Sequence, residues 1–133
     1  MTQERWKQSN TVVYNVGYHI IFCSKYRRKV LKDDIQKRLK TLLLEKAMQC
    51  DINIEQMEIM EDHVHIFLKA KPSASPHWIV QQLKGYTSRI LRREFSSIKT
   101  RLPSLWTRSY YIETIGHISE HTIRKYIEDQ KKN

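Results

Sequence analysis

Two stretches of strand-like sequence, residues 52–60 and 63–70, are separated only by Glu61-Asp62, and this spacing constrains the fold more than any other feature. A two-residue link cannot carry the chain across a sheet, so the strands it joins must run antiparallel as a hairpin. Within the second stretch Val64, Ile66 and Leu68 alternate with His63, His65 and Phe67. Successive side chains on a strand point to opposite faces, so the aliphatic set should meet a core and the imidazoles should lie on the other face.

The flanking segments read in the same way. Thr11 to Cys23 is rich in Val, Ile, Tyr and Phe, with Tyr14, Val16, Tyr18, Ile20 and Phe22 on one face of a first strand. The basic connector Lys25-Tyr26-Arg27-Arg28-Lys29 follows. Asp33 can cap a helix reaching about Cys50, with Ile35, Leu39, Leu42, Leu43 and Ala47 as its apolar stripe. After the hairpin, Lys71 to Pro76 is a loop. Ser75 caps and Pro76 opens a second helix, with the stripe Ile79, Leu83, Tyr86, Ile90 and Leu91. Gly85 inside it costs about 1 kcal/mol against Ala, which implies a close approach by another element or a ligand. Ser96 to Trp106 reads as a basic loop and Ser109 to Ile115 as a fourth strand. Gly116 breaks the chain, and Ser119 caps a last helix carrying Ile123, Tyr126, Ile127 and Gln130.

The order is β-α-β-β-α-β plus a C-terminal helix. It predicts an α+β, ferredoxin-like fold: an antiparallel sheet with helices on one face. Residues 1–133 read as a single domain, long enough for a hydrophobic core. With 24 Lys+Arg against 14 Asp+Glu the net charge is +10, which favours a polyanionic partner such as DNA, RNA or an acidic membrane surface. No apolar run approaches the ~18–20 residues of a membrane span, and Met1-Thr2-Gln3-Glu4-Arg5 leads into no signal-peptide core. Cys23 and Cys50 form no C-x-x-C pair and read as thiols in a reducing cytoplasm.

His63 and His65 present two imidazoles side by side, and Tyr126 and Gln130, four residues apart, share a helix face. Singly, each has a plainer reading: the histidines as polar residues on a wet sheet face, Tyr126 as a flank of the Ile123/Ile127 stripe, Gln130 as solvated. Together they can form a small metal site beside a phenolic nucleophile, a combination suited to cutting a phosphodiester. Lys25, Arg27, Arg28, Lys29, Lys84, Arg89, Arg92 and Arg93 are candidate DNA contacts, and several also fit solvated helix faces.

These residues carry a resemblance to the single-tyrosine HUH transposases of the IS200/IS605 insertion-sequence family, over nearly the whole chain. Tyr18 to Arg28 resembles that family's first strand and basic turn, and Asp62-His63-Val64-His65 its histidine-hydrophobe-histidine motif. Leu83-Lys84-Gly85 with Ser88-Arg89 resembles its second helix, and Leu105-Trp106 with Ser109-Tyr110-Tyr111 the approach to its fourth strand. Ile123 to Gln130 matches its catalytic helix. One departure is Glu61, where relatives often carry proline, a change expected to alter turn stiffness and leave the chemistry intact.

The resemblance implies His63, His65 and Gln130 as ligands of Mg²⁺ or Mn²⁺, and Tyr126 as nucleophile. It also implies single-stranded DNA hairpins at insertion-sequence ends as substrate, a 5′-phosphotyrosine intermediate with a free 3′-hydroxyl, and a homodimer whose active sites assemble in trans. A free tyrosine has a pKa of about 10, so its target must be polarised and aligned before it attacks. No Walker-type loop is present, as suits an energy-neutral transesterification. The expected location is the cytoplasm of a prokaryote, associated with the nucleoid. The alternatives are a ferredoxin-like RNA-binding or RNA-processing protein, a domesticated DNA-binding relative, and a replication initiator sharing the histidine motif.

Overall fold

A computed structural model describes residues 16–115 together with Glu128 and Asp129. The first strand's expected start at Thr11, and the C-terminal helix with Tyr126 and Gln130, lie outside these residues apart from that helical pair. Strand β1 runs Val16–Cys23, helix α1 Asp33–Gln49, β2 Asn53–Ile59, β3 His63–Ala70, α2 Pro76–Glu94, α3 Ser96–Arg101 and β4 Tyr111–Ile115. Among the described residues the sheet has four strands in the order β2-β3-β1-β4, and every neighbouring pair is antiparallel. This is the split βαβ arrangement that the element order predicts.

The alternation along β3 and β1 is what builds the core. Val64, Ile66 and Leu68 from β3 and Tyr18, Ile20 and Phe22 from β1 are buried together with Leu39, Leu42, Leu43 and Ala47 of α1 and Ile79, Leu83, Ile90 and Leu91 of α2. Both long helices therefore cover one face of the sheet. Ile35 and Tyr86 only flank this core, whereas Val80 and Thr87 join the buried face of α2. The hairpin turn is closed by the Met60 amide donating to the His63 carbonyl, 2.8 Å. It is also gripped from outside, where the amides of Ser24 and Leu31 donate to the carbonyls of Asp62 and Glu61 at 3.0 and 2.8 Å. Ser75 caps α2 as expected, its Oγ accepting from the Trp78 amide at 3.1 Å, with Pro76 at the first turn. Among the described residues no helix is long and apolar enough to cross a membrane.

Four expectations need correction. Lys32, not Asp33, occupies the N-cap of α1, without a side-chain cap, and Asp33 opens the helix at φ 54°. Residues 96–101 form helix α3 instead of loop, because Ile98 and Leu102, four apart, both bury against the core. The surrounding basic residues had hidden that period. β4 begins at Tyr111, two residues later than read from sequence. At Gly85 a Cβ would meet nothing within 4 Å, so among the described residues no element approaches there. The close approach is at Gly17, where a Cβ would sit 3.1 Å from the Ile115 carbonyl oxygen on β4.

A buried polar tie joins α2 to the approach to β4. The Trp106 indole N–H donates to Thr87 Oγ1 at 3.0 Å, and that hydroxyl donates to the Leu83 carbonyl at 2.7 Å. The Trp106 ring also meets Phe22 edge-on, with centroids 4.7 Å apart. Thr87→Val keeps the volume but strands the indole N–H in the core, which should cost about 1–3 kcal/mol. Urea denaturation should show a lower midpoint at unchanged slope; an unshifted midpoint would mean that the N–H finds another acceptor.

Candidate functional site

The register of the two central strands decides which side chains share the face opposite the helices. Cys23 pairs with His63, Ile21 with His65 and His19 with Phe67. On β1's other side Ile21 pairs with Tyr111 and His19 with Glu113. His63, His65, His19, Tyr111 and Glu113 thus stand together on this face. The His63 and His65 ring centroids are 4.9 Å apart with the planes at 73°.

This face is not the wet surface that a plain reading of the histidines supposes. His65 is 3% exposed, Phe67 4% and His19 0%, while His63 stays partly open. Buried imidazoles need partners, and both motif histidines find theirs through Nδ1. His63 Nδ1 lies 2.6 Å from Asp62 Oδ1, and Asp62 Oδ2 accepts from Arg27 Nε at 3.2 Å. His65 Nδ1 lies 3.3 Å from His19 Nε2, and His19 Nδ1 lies 3.2 Å from Glu113 Oε1. Glu113 Oε2 in turn accepts from the Tyr111 hydroxyl at 2.7 Å.

The charges follow from these contacts. Burial pushes the Asp62 carboxyl up, but the hydrogen bond from His63 and the Arg27 charge outweigh it, so Asp62 ends below the usual carboxylate range. The Tyr111 hydroxyl, then His19, hold Glu113 low as well. Burial, then the neighbouring His63 and His19, lowers His65 from 6.5 to about 4. Burial also lowers His19, with Glu113 acting against it. His65 and His19 are therefore neutral at pH 7.

A neutral imidazole whose Nδ1 carries the proton offers its Nε2 lone pair to a metal. An ionised carboxylate only accepts, so Asp62 holds a proton on His63 Nδ1. His63 and His65 thus fit a divalent cation as two nitrogen donors. Among the described residues no group of three or more His, Cys, Asp or Glu could hold a metal ion, so further donors are needed. Gln130, the expected third ligand, and Tyr126, the expected nucleophile, lie outside the described residues.

Sequence reasoning assigned no role to His19, although it sits on the polar face of β1 in Tyr18-His19-Ile20. The signal was there: a histidine out of phase with a core strand's apolar set, on a strand that must neighbour the histidine motif in a split βαβ sheet.

The candidate DNA contacts fall into distinct environments. Lys84 turns inward, donating to the carbonyls of Thr107, Ser109 and Arg108 at 2.5, 3.4 and 3.5 Å, and burial lowers its pKa. Arg92 donates to the Leu102 carbonyl at 2.8 Å. Both tie down the segment leading to β4. Arg27 is held by Asp62 beside His63, with Lys25 over the Tyr26 ring at 5.4 Å and Arg28 and Lys29 exposed next to it. Arg89, 5.7 Å from the Tyr86 ring centre, and Arg93 are exposed on α2, in the helical layer opposite the histidines.

The histidine environment predicts a pH response. His65 titrates near 4 in the folded chain against 6.5 for a free side chain. The unfolded chain therefore takes up the proton first, so this stability is present above about pH 6.5 and is lost as pH falls from there towards 4. Urea unfolding in metal-free buffer should give a lower stability at pH 5 than at pH 7, and His65→Gln should reduce that difference. Equal stability of the unsubstituted protein at the two pH values would contradict the buried, neutral assignment.

Comparison with known proteins agrees with the geometry. A family model described as "Transposase IS200 like" matches residues 12–130. The ISDra2 transposase TnpA of Deinococcus radiodurans is 36% identical over 126 residues, 93% of this chain and 90% of that protein. The transposase for insertion sequence element IS200 of Salmonella typhimurium is 29% identical over 119 residues, 88% of this chain and 78% of that protein. A crystal structure of a D. radiodurans transposase superposes with a TM-score of 0.76 at 35% identity, covering 93% of this chain and 97% of that one. A REP-associated tyrosine transposase bound to a REP hairpin shares the fold at a TM-score of 0.61 and 12% identity, covering 95% of this chain and 75% of that one. With the family model spanning nearly the whole chain and the histidine pair set on its central strand, the protein belongs to the IS200-like transposases, enzymes that cut and rejoin DNA.

Proposed function

We propose that residues 1–133 form one catalytic domain that binds hairpins in single-stranded DNA at insertion-sequence ends and cleaves beside them through Tyr126. The observation that carries this reading is the pairing of His63 Nδ1 with Asp62 and His65 Nδ1 with His19, which leaves two adjacent Nε2 atoms for a cation. His63, His65 and Gln130 would hold Mg²⁺ or Mn²⁺, which when bound would polarise the scissile phosphate and draw off developing negative charge. Tyr126 attacks phosphorus as its phenol gives up a proton. The bond from phosphorus to the 3′ oxygen breaks, leaving a 5′-phosphotyrosine and a 3′-hydroxyl. Phenolate is a good leaving group, so a 3′-hydroxyl can reverse the step and rejoin DNA without ATP. Arg27, fastened to Asp62 two residues from the motif's centre, is positioned to bring a phosphate to the histidines, and Arg28 and Lys29 extend the cationic turn. The similarity to a hairpin-bound tyrosine transposase supports the hairpin as substrate.

The protein should act as a homodimer with each tyrosine serving its partner's histidines, in the cytoplasm near the nucleoid. Among the described residues the sheet has its edges at β2 and β4, either of which can pair with a second copy.

Incubation with single-stranded oligonucleotides from element ends, followed by a denaturing gel, should show a covalent protein–DNA adduct that requires Mg²⁺ or Mn²⁺. Tyr126→Phe should abolish the adduct and leave hairpin binding within a few-fold. An adduct that persists in the Phe variant, through Tyr110 or Tyr111, would overturn the nucleophile assignment.

Trans assembly is tested by mixing defects. A heterodimer of a His63→Ala/His65→Ala subunit with a Tyr126→Phe subunit retains one complete site only if sites form in trans, so about half the activity should survive. A folded but inactive heterodimer would defeat the trans arrangement.

A further inference from the structure

We infer that Glu113 and His19 form a positioning relay that fixes the tautomer of His65, so that its Nε2 atom is the one offered to metal. The relay crosses three strands. Glu113 on the edge strand β4 sits opposite His19 on β1, and His19 reaches His65 on β3.

The proton positions follow from donor and acceptor chemistry alone. Glu113 is ionised and its oxygens can only accept, so the 3.2 Å contact requires the proton on His19 Nδ1. Neutral His19 then has a lone pair on Nε2, so the 3.3 Å contact requires the proton on His65 Nδ1. Neutral His65 is left with its lone pair on Nε2. An isolated imidazole mildly prefers the opposite tautomer, with the proton on Nε2, in which the outward nitrogen could not ligate. His63 has a carboxylate of its own in Asp62, 2.6 Å away. His65 receives the same instruction from Glu113 at one remove, through an imidazole that is 0% exposed. His19 itself has both ring nitrogens engaged in this arrangement, so it acts through His65 and does not ligate.

The surroundings stiffen the relay. The Tyr111 hydroxyl holds the second Glu113 oxygen at 2.7 Å, and the His19 ring stacks on Phe67 with centroids 4.3 Å apart and planes within 5°. The stack resists turning the His19 ring about its χ2 bond out of that shared plane, so the two nitrogens keep their separate partners. Outer partners of this kind typically change metal affinity by about 10–100-fold when removed.

The inference rests on His63 and His65 being metal ligands, but its first test needs no metal. Long-range proton–nitrogen correlation spectra of ¹⁵N-histidine protein, free of metal at neutral pH, should show His65 with a protonated Nδ1 and a bare Nε2. Glu113→Gln replaces an obligate acceptor with an amide that can also donate, so the proton on His19 is no longer assigned and part of the His65 population should move to the Nε2–H form. Glu113 is 42% exposed on its side chain, so this substitution spares the core. His19→Phe, which keeps the stack on Phe67, should release the tautomer more completely. Mn²⁺ titration followed by electron paramagnetic resonance should then show affinity reduced by about 10–100-fold in both variants. A wild-type His65 protonated on Nε2, or a Glu113→Gln variant with the wild-type tautomer and Mn²⁺ affinity, would overturn the relay. The expected tautomer in a wild-type protein that binds no Mn²⁺ would instead overturn the metal reading, and with it the positioning role. Failure of Tyr126→Phe to abolish the adduct touches only the nucleophile, so the two ideas fail separately.

Discussion

The pairing of β1 with β3 is the constraint on which the site depends. It is an antiparallel register of eight partner pairs at the centre of the sheet, from Val16 with Ala70 to Cys23 with His63. Because side chains alternate with period two, a slip of one residue would send Tyr18, Ile20 and Phe22 to the polar face and His19 into the core. The buried set on the helix side therefore makes the histidine register nearly obligatory. Hydrophobic burial stabilises one face by about 1.5–3 kcal/mol for each large side chain, and the chemistry on the other face is aligned by the same pairing. Scaffold and site are two sides of one strand pair.

That coupling explains what the sequence made legible. Element order, the hairpin at Glu61-Asp62 and the faces of β3 could be read because each rests on a local pattern: a two-residue link, a period of two, a Ser-Pro helix start. The split βαβ order then followed from the connections. Helix α3 escaped because six residues carry less than two turns of pattern, and only Ile98 and Leu102 mark its inner side. Gly85 misled in the other direction. A glycine in a helix suggests a close neighbour, yet the crowded glycine is Gly17, where the β4 backbone passes. Its partner lies almost one hundred positions away in sequence, so nothing local could mark it.

The site itself was half legible. His63 and His65 stand out by spacing, and the family resemblance gave them, with Tyr126 and Gln130, a role. What the sequence could not display is the burial of His65 and its partner His19, since His65 and His19 lie 46 residues apart and His19 and Glu113 lie 94 apart. A polar residue on the far face of a sheet reads as wet until the tertiary structure says otherwise. The basic residues show the same limit. Lys84 and Arg92 read as DNA contacts in the sequence, yet in the fold Lys84 donates to the carbonyls of residues 107–109 and Arg92 Nη1 donates to the Leu102 carbonyl.

Asp62 joins the histidine motif to the basic turn. One oxygen holds His63 and the other holds Arg27, so the side chain beside the histidine motif is also the anchor of the cationic turn. That turn is not relaxed: Tyr26 and Arg27 both have left-handed backbones, with φ of 59° and 53°. Such conformations in non-glycine residues persist only where the surroundings over-determine them. Here Ser24 Oγ donates to the Arg28 carbonyl at 2.6 Å, the Lys25 amide to the Leu105 carbonyl at 2.7 Å, and the Ser24 amide to Asp62 at 3.0 Å. The first closes the turn on itself, and the other two run from the end of β1 to the segment before β4 and to the hairpin. The turn is therefore built onto the same strand ends that align the histidines. Arg27 and His63 share a single carboxylate, so the positions of the guanidinium and of the imidazole cannot vary independently.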